Sequence, residues 1–348
     1  LMQTILFLIF PIEKRGTAMG MFGLVIAFAP AIGPTLSGWI VENFPWRSIF
    51  YMVLPIIIAD IILAYFVLKN VTKQTFPKLD ILSIVLSTLG FGGLLYGFSA
   101  AGGEQGWGST QVILAMIIGA ISLTWFIFRQ MKLEEPILEF RGFKNRVVTL
   151  TTILGMVAFI AMIGSAIVLP LFMQDMLGFT AFESGLALLP GAITMGLMNP
   201  ITGRLFDKYG AKWLAICGLI IVVVTTFMFT TLTTETTFTY IAVANAVRMF
   251  GISMVMMPVT TAGLNELPLD IIAHGTAMNN TMRQVAGAVG TALMVTIMSN
   301  TSIPTEGLQG LIHGVNVSFI FAGIFAIIAL ILSFFIRKPS HKEVAESY

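Results

Sequence analysis

Ten long apolar stretches dominate this 348-residue chain, near 17–41, 47–69, 81–101, 111–131, 148–173, 184–206, 213–233, 238–264, 275–299 and 315–337. A helix needs roughly 20 apolar residues to cross the hydrocarbon of a bilayer. Within lipid every backbone N–H and C=O must find its partner inside the structure, which leaves only helices and closed barrels. Barrel strands are short and alternate in polarity. These runs are long and continuous, so the chain is expected to be an all-α polytopic membrane protein. Composition agrees: 10% of residues are charged and 57% hydrophobic, against about a quarter charged in a soluble domain. A net charge of +2 leaves no nucleic-acid footprint. A single cysteine, Cys217, excludes a disulfide framework, and His274, His313 and His341 lie too far apart for a metal cluster.

Lys and Arg set the expected orientation, because cytoplasmic loops carry an excess of both. With 11–16 placed in the cytoplasm, the same side receives Lys14, Arg15, Lys69, Lys73, Lys78, Arg129, Lys132, Arg141, Lys144, Arg146, Arg204, Lys208, Lys212, Arg337, Lys338 and Lys342, sixteen of the 19 basic residues. The opposite loops hold Arg47, and Arg248 and Arg283 fall inside spans. The C-terminus is thereby expected in the cytoplasm. Leu1–Phe10 has no basic flank and no small-residue cleavage site, so it does not read as a signal peptide.

Gly-Thr-Ala-Met occurs twice, at Gly16–Met19 and Gly275–Met278, each time opening a span shortly after a proline, Pro11 or Pro268. Each copy is followed by one more span and then a basic segment, which suggests a parallel internal repeat. Four spans precede the second copy and only Leu1–Phe10 precedes the first, so the repeat predicts that the first bundle lacks more than three helices. The expected organisation is a bundle remnant over 1–72, an inserted hairpin and linker over 73–146, a six-helix bundle over 147–338 and a tail over 339–348. About ten spans of fourteen would then be present.

Two motifs carry chemistry. Ala29-Pro30-Ala31-Ile32-Gly33-Pro34-Thr35-Leu36-Ser37-Gly38 places prolines and glycines inside a span; proline bends a helix and glycine admits a close neighbour. Gly203-Arg204-Leu205-Phe206-Asp207-Lys208-Tyr209-Gly210-Ala211-Lys212 lies in a turn between spans. Its glycines suit a tight turn, and Asp207 can pair with a basic group or accept from a helix N-terminus. Such a pairing would latch one side of the protein and break in a rocking motion.

The second motif resembles the loop signature of the major facilitator superfamily, and the first resembles that superfamily's antiporter motif, here Pro30, Gly33, Pro34 and Gly38. The inserted pair, and Asn279-Asn280-Thr281-Met282-Arg283-Gln284 with Gly287 and Gly290, resemble the fourteen-helix drug:proton antiporters of the EmrB/QacA type. Phe28-Ala-Pro-Ala-Ile-Gly-Pro-Thr and Leu79-Asp80-Ile81-Leu82-Ser83 are similar to bacterial lincomycin-resistance exporters. The resemblance covers the chain from the family's fourth helix onward. It implies a multi-pass protein of the bacterial plasma membrane that exchanges lipophilic or cationic drugs for protons, with Gly203, Arg204, Asp207, Lys208, Gly210 and Lys212 as a gating loop. The family's first-helix acidic residue, first loop signature and fourth-helix arginine have no positions here.

Polar groups in hydrocarbon are costly and therefore candidate site residues. Asn245 and Arg248 share a helix face, Arg248 resembling an echo of the family's fourth-helix arginine; capping of carbonyls or a carboxylate is its alternative role. Asn279 and Arg283 share another face with Gln284 adjacent, as a cavity wall or an interhelical lock. Asp60 is the one acid deep in a span, and burial would raise its pKa. Asp175 and Glu183 flank a loop and are expected to be solvated. Met156, Phe159 and Met162 recur at helical spacing on a span that the family uses to line its cavity, with core packing as the alternative. No metal, cofactor or nucleotide-binding loop is expected, nor any enzyme signature such as His-Glu-x-x-His or Gly-x-Ser-x-Gly. Lipid, small drugs and protons are the expected partners. An inward proton symporter and a non-transporting product remain the alternatives.

Overall fold

The computed structural model describes residues 2–67, 80–102, 106–133, 136–269 and 271–336. The basic residues Lys69, Lys73, Lys78, Arg337, Lys338 and Lys342, and the tail 339–348, lie outside the described residues. Among the described residues there are helices and no strands: α1 (Met2–Ile9), α2 (Arg15–Asn43), α3 (Ser48–Val67), α4 (Ile81–Ala101), α5 (Thr110–Lys132), α6 (Arg146–Leu171), α7 (Ala181–Tyr209), α8 (Ala211–Met228), α9 (Phe238–Asn265), α10 (Ile272–Thr301) and α11 (Gly307–Ser333). Nine of the long helices are apolar enough to cross a membrane. The tenth, α10, is as long, but Asn279, Asn280, Arg283 and Gln284 reduce its hydropathy.

The helices form where the apolar runs lie, with one displacement. The last stretch was expected from 315, yet α11 starts at Gly307. The intervening Gly-Leu-Gln-Gly-Leu-Ile-His-Gly is helical because Gly310 and Gly314 let it pack on the backbone of Ile303 and Met298 at the end of α10.

The largest apolar cluster joins α6 to α7, α9, α10 and α11 through Val168, Leu169, Phe172, Ala187, Ile241, Met294 and Phe319. A second, around Leu154, Phe206, Leu214, Leu219, Val255, Val259 and Ala329, binds α8 and α9 to their neighbours at the other end. The α4–α5 hairpin packs through small residues, Gly90, Gly93 and Gly119, whose Cβ positions abut the facing backbone at 2.7–2.9 Å. Its turn is fixed to α10, where Trp107 Nε1 donates to Thr296 Oγ1 at 2.6 Å. By contrast, α3 has no buried residue.

Candidate functional site

The tightest interhelical contact is the antiparallel pair α2–α7. A Cβ on Gly16 would lie 2.6 Å from Gly203 O, one on Gly20 2.5 Å from Asn199 O, one on Gly185 2.7 Å from Thr35 Cα, and one on Gly38 2.6 Å from Ala181 O. From Gly16 to Gly38 the helix rises about 33 Å at 1.5 Å per residue, the depth of a bilayer core. Glycines at these positions let the two backbones approach closely.

Each end of the pair is closed by a carboxylate. Asp207, in the last turn of α7, accepts from Gly16 N and Thr17 N, both at 2.8 Å, and from Thr17 Oγ1 at 2.5 Å. A helix leaves its first N–H groups without partners, and Lys14 at the N-cap of α2 has no side-chain acceptor to offer. The cap therefore comes from another helix. Of the two partners open to Asp207, the structure shows the helix N-terminus. At the other end Glu42, in the last turn of α2, accepts from Phe182 N of α7 at 2.7 Å.

Arg15 extends the first closure. Its guanidinium donates to Phe7 O at 2.8 Å and Phe10 O at 3.3 Å, the free carbonyls of α1, and to Asn265 Oδ1 of α9 at 3.1 Å. Three consecutive residues, Arg15-Gly16-Thr17, thus hold α1, α7 and α9 together. The second Gly-Thr-Ala-Met is not used this way. Gly275 N already bonds to Ile271 O at 2.9 Å inside α10, and the buried Thr276 Oγ1 has no partner among the described residues.

The gating-loop motif divides by geometry. Gly210 connects α7 to α8 at φ +77°, which favours glycine. Gly203 is a correction: it lies inside α7, and its use is close approach to α2 rather than a turn. Arg204 and Lys208 are exposed, Lys208 Nζ lying 5.1 Å from the centre of the Tyr209 ring, and Lys212 is half-buried in the first turn of α8. In the antiporter motif, Gly38 and Pro34 meet α7, whereas a Cβ on Gly33 would meet nothing within 4 Å, so close packing does not extend to Gly33. Pro30 lies within α2.

Arg248 is wholly buried. It donates to Ala161 O at 3.0 Å and lies beside the paired rings of Phe229 and Phe319, 5.7 Å from each centre. Its Nε and Nη1, and Asn245 Oδ1, have no hydrogen-bond partner among the described residues. This is the carbonyl-capping arrangement, with aromatic faces in place of a carboxylate. Arg283 bonds to Asn280 Oδ1 and its guanidinium sits 6.0 Å from the centre of the Phe159 ring. Asn279, on the same face, is buried with its Oδ1 unpartnered among the described residues.

A cavity of about 560 Å³ opens between α4, α6 and α10, walled by Phe98, Ser99, Phe159, Gln284, Gly287 and Thr291 among others. Phe159 and Gln284 meet there. Met156 is half-buried and absent from this wall; Met162 is buried in a cluster with Ala161, Met195 and Ile252, the packing role. Asp60 is a further correction. It is exposed on α3, with no neighbouring helix of the described residues burying it. Glu183 closes its own helix, accepting from Thr180 N at 2.8 Å while Thr180 Oγ1 accepts from Glu183 N at 3.1 Å. Among the described residues no cluster of His, Cys, Asp and Glu is arranged to hold a metal.

At the basic end the hairpin has its own lock. Asp80 caps α4 and receives Arg129 Nε at 3.0 Å and Nη2 at 3.1 Å, while Ser83 bonds to both Asp80 and Gln130. The Arg129 hydrogen bond, helped by Ser83, holds the Asp80 carboxyl well below the usual carboxylate range, at about 2.

A helical membrane protein with a close-packed seam, carboxylate caps at both seam ends and an apolar cavity beside polar helix α10 has the build of a multi-span carrier. The chain belongs to the Major Facilitator Superfamily, whose family model matches residues 1–291. It is 53% identical over 342 residues to an uncharacterized MFS-type transporter, YcnB, of Bacillus subtilis, covering 97% of this chain and 72% of the relative. It is 47% identical to the lincomycin resistance protein LmrB of Listeria monocytogenes, covering 97% of this chain and 74% of that one. To the multidrug export protein EmrB of Haemophilus influenzae it is 30% identical, over 84% of this chain and 58% of that one. The motif resemblance therefore holds: the relatives are transporters of bacterial membranes, with lincomycin-resistance and multidrug-export proteins among them.

Proposed function

We propose that this transporter exports lipophilic drugs in exchange for protons by alternating access, with the α2–α7 seam as the line about which two helical sets rock. The reading divides the chain into a set over 1–72, an inserted hairpin over 73–146 and a second set over 147–338, with the basic end in the cytoplasm and the C-terminus on that side. The observation that carries it is the Asp207 cap on α2: two charge-assisted backbone hydrogen bonds and one to a hydroxyl, at one end of a seam along which glycines of α2 and α7 meet the facing backbone. A helix cap of this kind is worth about 0.5–2 kcal/mol in all, small enough to break and remake in a transport cycle.

The cavity between α4, α6 and α10 supplies the drug contacts. Its wall is apolar with Ser99, Gln284 and Thr291 as uncharged polar points, a lining that suits uncharged amphipathic molecules better than cations. Arg283, stacked on Phe159 beside it, disfavours a cationic ligand further. Coupling to protons is supported by the family. Asp60, in its exposed position, is not needed for the drug site.

Expression in an efflux-deficient bacterium, with lincomycin and a neutral lipophilic dye as substrates, tests the reading. Resistance and dye extrusion that collapse when the proton gradient is dissipated are the expected results. Uptake of the drug driven inward by the same gradient would establish the symport alternative, and no difference from the empty vector would establish the non-transporting one.

A further inference from the structure

The two seam carboxylates sit in an unusual place. A carboxylate is favoured at a helix N-terminus and disfavoured at the C-terminus, where the last carbonyls carry partial negative charge. Asp207 and Glu42 are both in the last turn of their own helices. Each is instead used by the neighbouring helix, which runs the other way and presents its N-terminus alongside. Asp207 of α7 caps α2, and Glu42 of α2 caps α7.

Two donors at the α7 end are satisfied locally. Thr180 and Glu183 form a closed capping box that satisfies Thr180 N and Glu183 N. Ala181 N and Phe182 N, between them, are not served by the box, and Phe182 N is the group that Glu42 Oε1 receives at 2.7 Å. Nothing in the local sequence of α7 supplies that acceptor. Close backbone contact continues up to this point, with Gly38 against Ala181.

We infer that Glu42 is the outer counterpart of the Asp207 latch: a positioning residue that holds the extracytoplasmic end of the α2–α7 seam closed and must release Phe182 for that side to open. The inference rests on the rocking motion proposed above. The two latches lie at opposite ends of one glycine-lined seam, so releasing either one lets that end part while the other end serves as the pivot.

The test uses the full chain in proteoliposomes, with Cys217 replaced by Ser and spin labels read by double electron–electron resonance. One label pair, on cysteines at Phe44 and Thr234, reports the Glu42 end; a second, at Lys14 and Trp213, reports the Asp207 end. Glu42→Ala is expected to add a longer-distance population to the first pair and leave the second unchanged. Glu42→Gln keeps size and an acceptor oxygen, so it is the variant that decides if the alanine protein does not fold, and it is expected to give a smaller increase of the same sign. Lengthening with alanine alone keeps the latch and assigns it to the hydrogen bond rather than the charge. Distance distributions for both Glu42 variants that superimpose on the parent overturn the inference, as does a superimposed Glu42→Gln distribution where the alanine protein does not fold. Asp207→Ala, read on the second pair, tests the rocking motion separately: no change there removes Asp207 as a gate, whatever the Glu42 result.

Discussion

The Asp207 carboxylate and Thr17 meet across two helices, with one oxygen accepting both the Thr17 backbone N–H at 2.8 Å and its hydroxyl at 2.5 Å. The other oxygen takes Gly16 N. Lys14, at the N-cap of α2, makes no capping bond, and among the described residues Asp207 is the side chain that accepts from both N–H groups.

Replacing Asp207 by Ala removes all three bonds, and Asn leaves one oxygen where there were two and takes away the charge. Loss of an N-cap acceptor costs about 1 kcal/mol and up to about 2. Initial rates of drug efflux are expected to fall in the order Asp, Asn, Ala, by roughly tenfold for Ala, since about 1.4 kcal/mol is a factor of ten. Equal rates for all three proteins would show that this end of the seam does not gate transport.

Gly203 and Gly33 allow a matched comparison, because both lie in motifs and only one is crowded. A methyl at 203 would overlap the Gly16 carbonyl oxygen, which is backbone and cannot swing away; a methyl at 33 enters open space. Overpacking costs about 1–3 kcal/mol. Gly203→Ala is expected to lower the melting temperature in detergent and to abolish most efflux, and Gly33→Ala to leave both near the parent values. A silent Gly203→Ala would mean that α2 and α7 stand further apart than described.

For Arg248 the surroundings argue for packing. Ala161 O also receives Ser165 Oγ at 2.5 Å, so removing the guanidinium does not orphan that carbonyl. Burying a charge in such a place is seldom better than a well-packed apolar side chain. Arg248→Met is therefore expected to fold and transport within a few-fold of the parent. Arg248→Lys, which keeps the charge but loses the planar contact with Phe229 and Phe319, is expected to melt lower. Expression yield and thermal melting of the two variants check this, and a Met variant that folds but fails to transport would return Arg248 to the coupling machinery.

Fold class and helix positions were legible because lipid imposes one rule on every span, and an apolar run of sufficient length declares itself. The Asp207 cap was half legible: the motif set an acid at the end of a span but left its partner open between a cation and a helix terminus. Glu42 went unread because a single acid at the edge of a span looks like an ordinary loop charge. Its signal was its position in the last turn, the end of the helix that disfavours it. Arg15 was counted for topology only, because its partners, Phe7 O, Phe10 O and Asn265, are far apart in sequence or on the backbone. Gly203 was misread for the same reason, since a glycine's use depends on the helix opposite. The burial of Asp60 was misread because depth within a span says nothing of which face is covered, and α3 has no buried residue.

Asp80 gives a prediction with a sign. Its folded pKa, about 2, lies below the unfolded value of about 3.9, so folding favours the ionised form. The stabilisation is complete above the unfolded value and is lost as pH falls through the folded one, because protonation removes the acceptor charge while Arg129 stays cationic. Asp80→Asn has no charge to lose. At neutral pH the parent is expected to melt a few degrees above the Asn variant, and the gap is expected to close between about pH 4 and about pH 2. Taking the difference between the two proteins at each pH cancels the other carboxylates, which titrate in both. Melting followed by intrinsic fluorescence in detergent measures it, and a gap that stays constant down to pH 2 would show that the Asp80–Arg129 pair does not hold the hairpin.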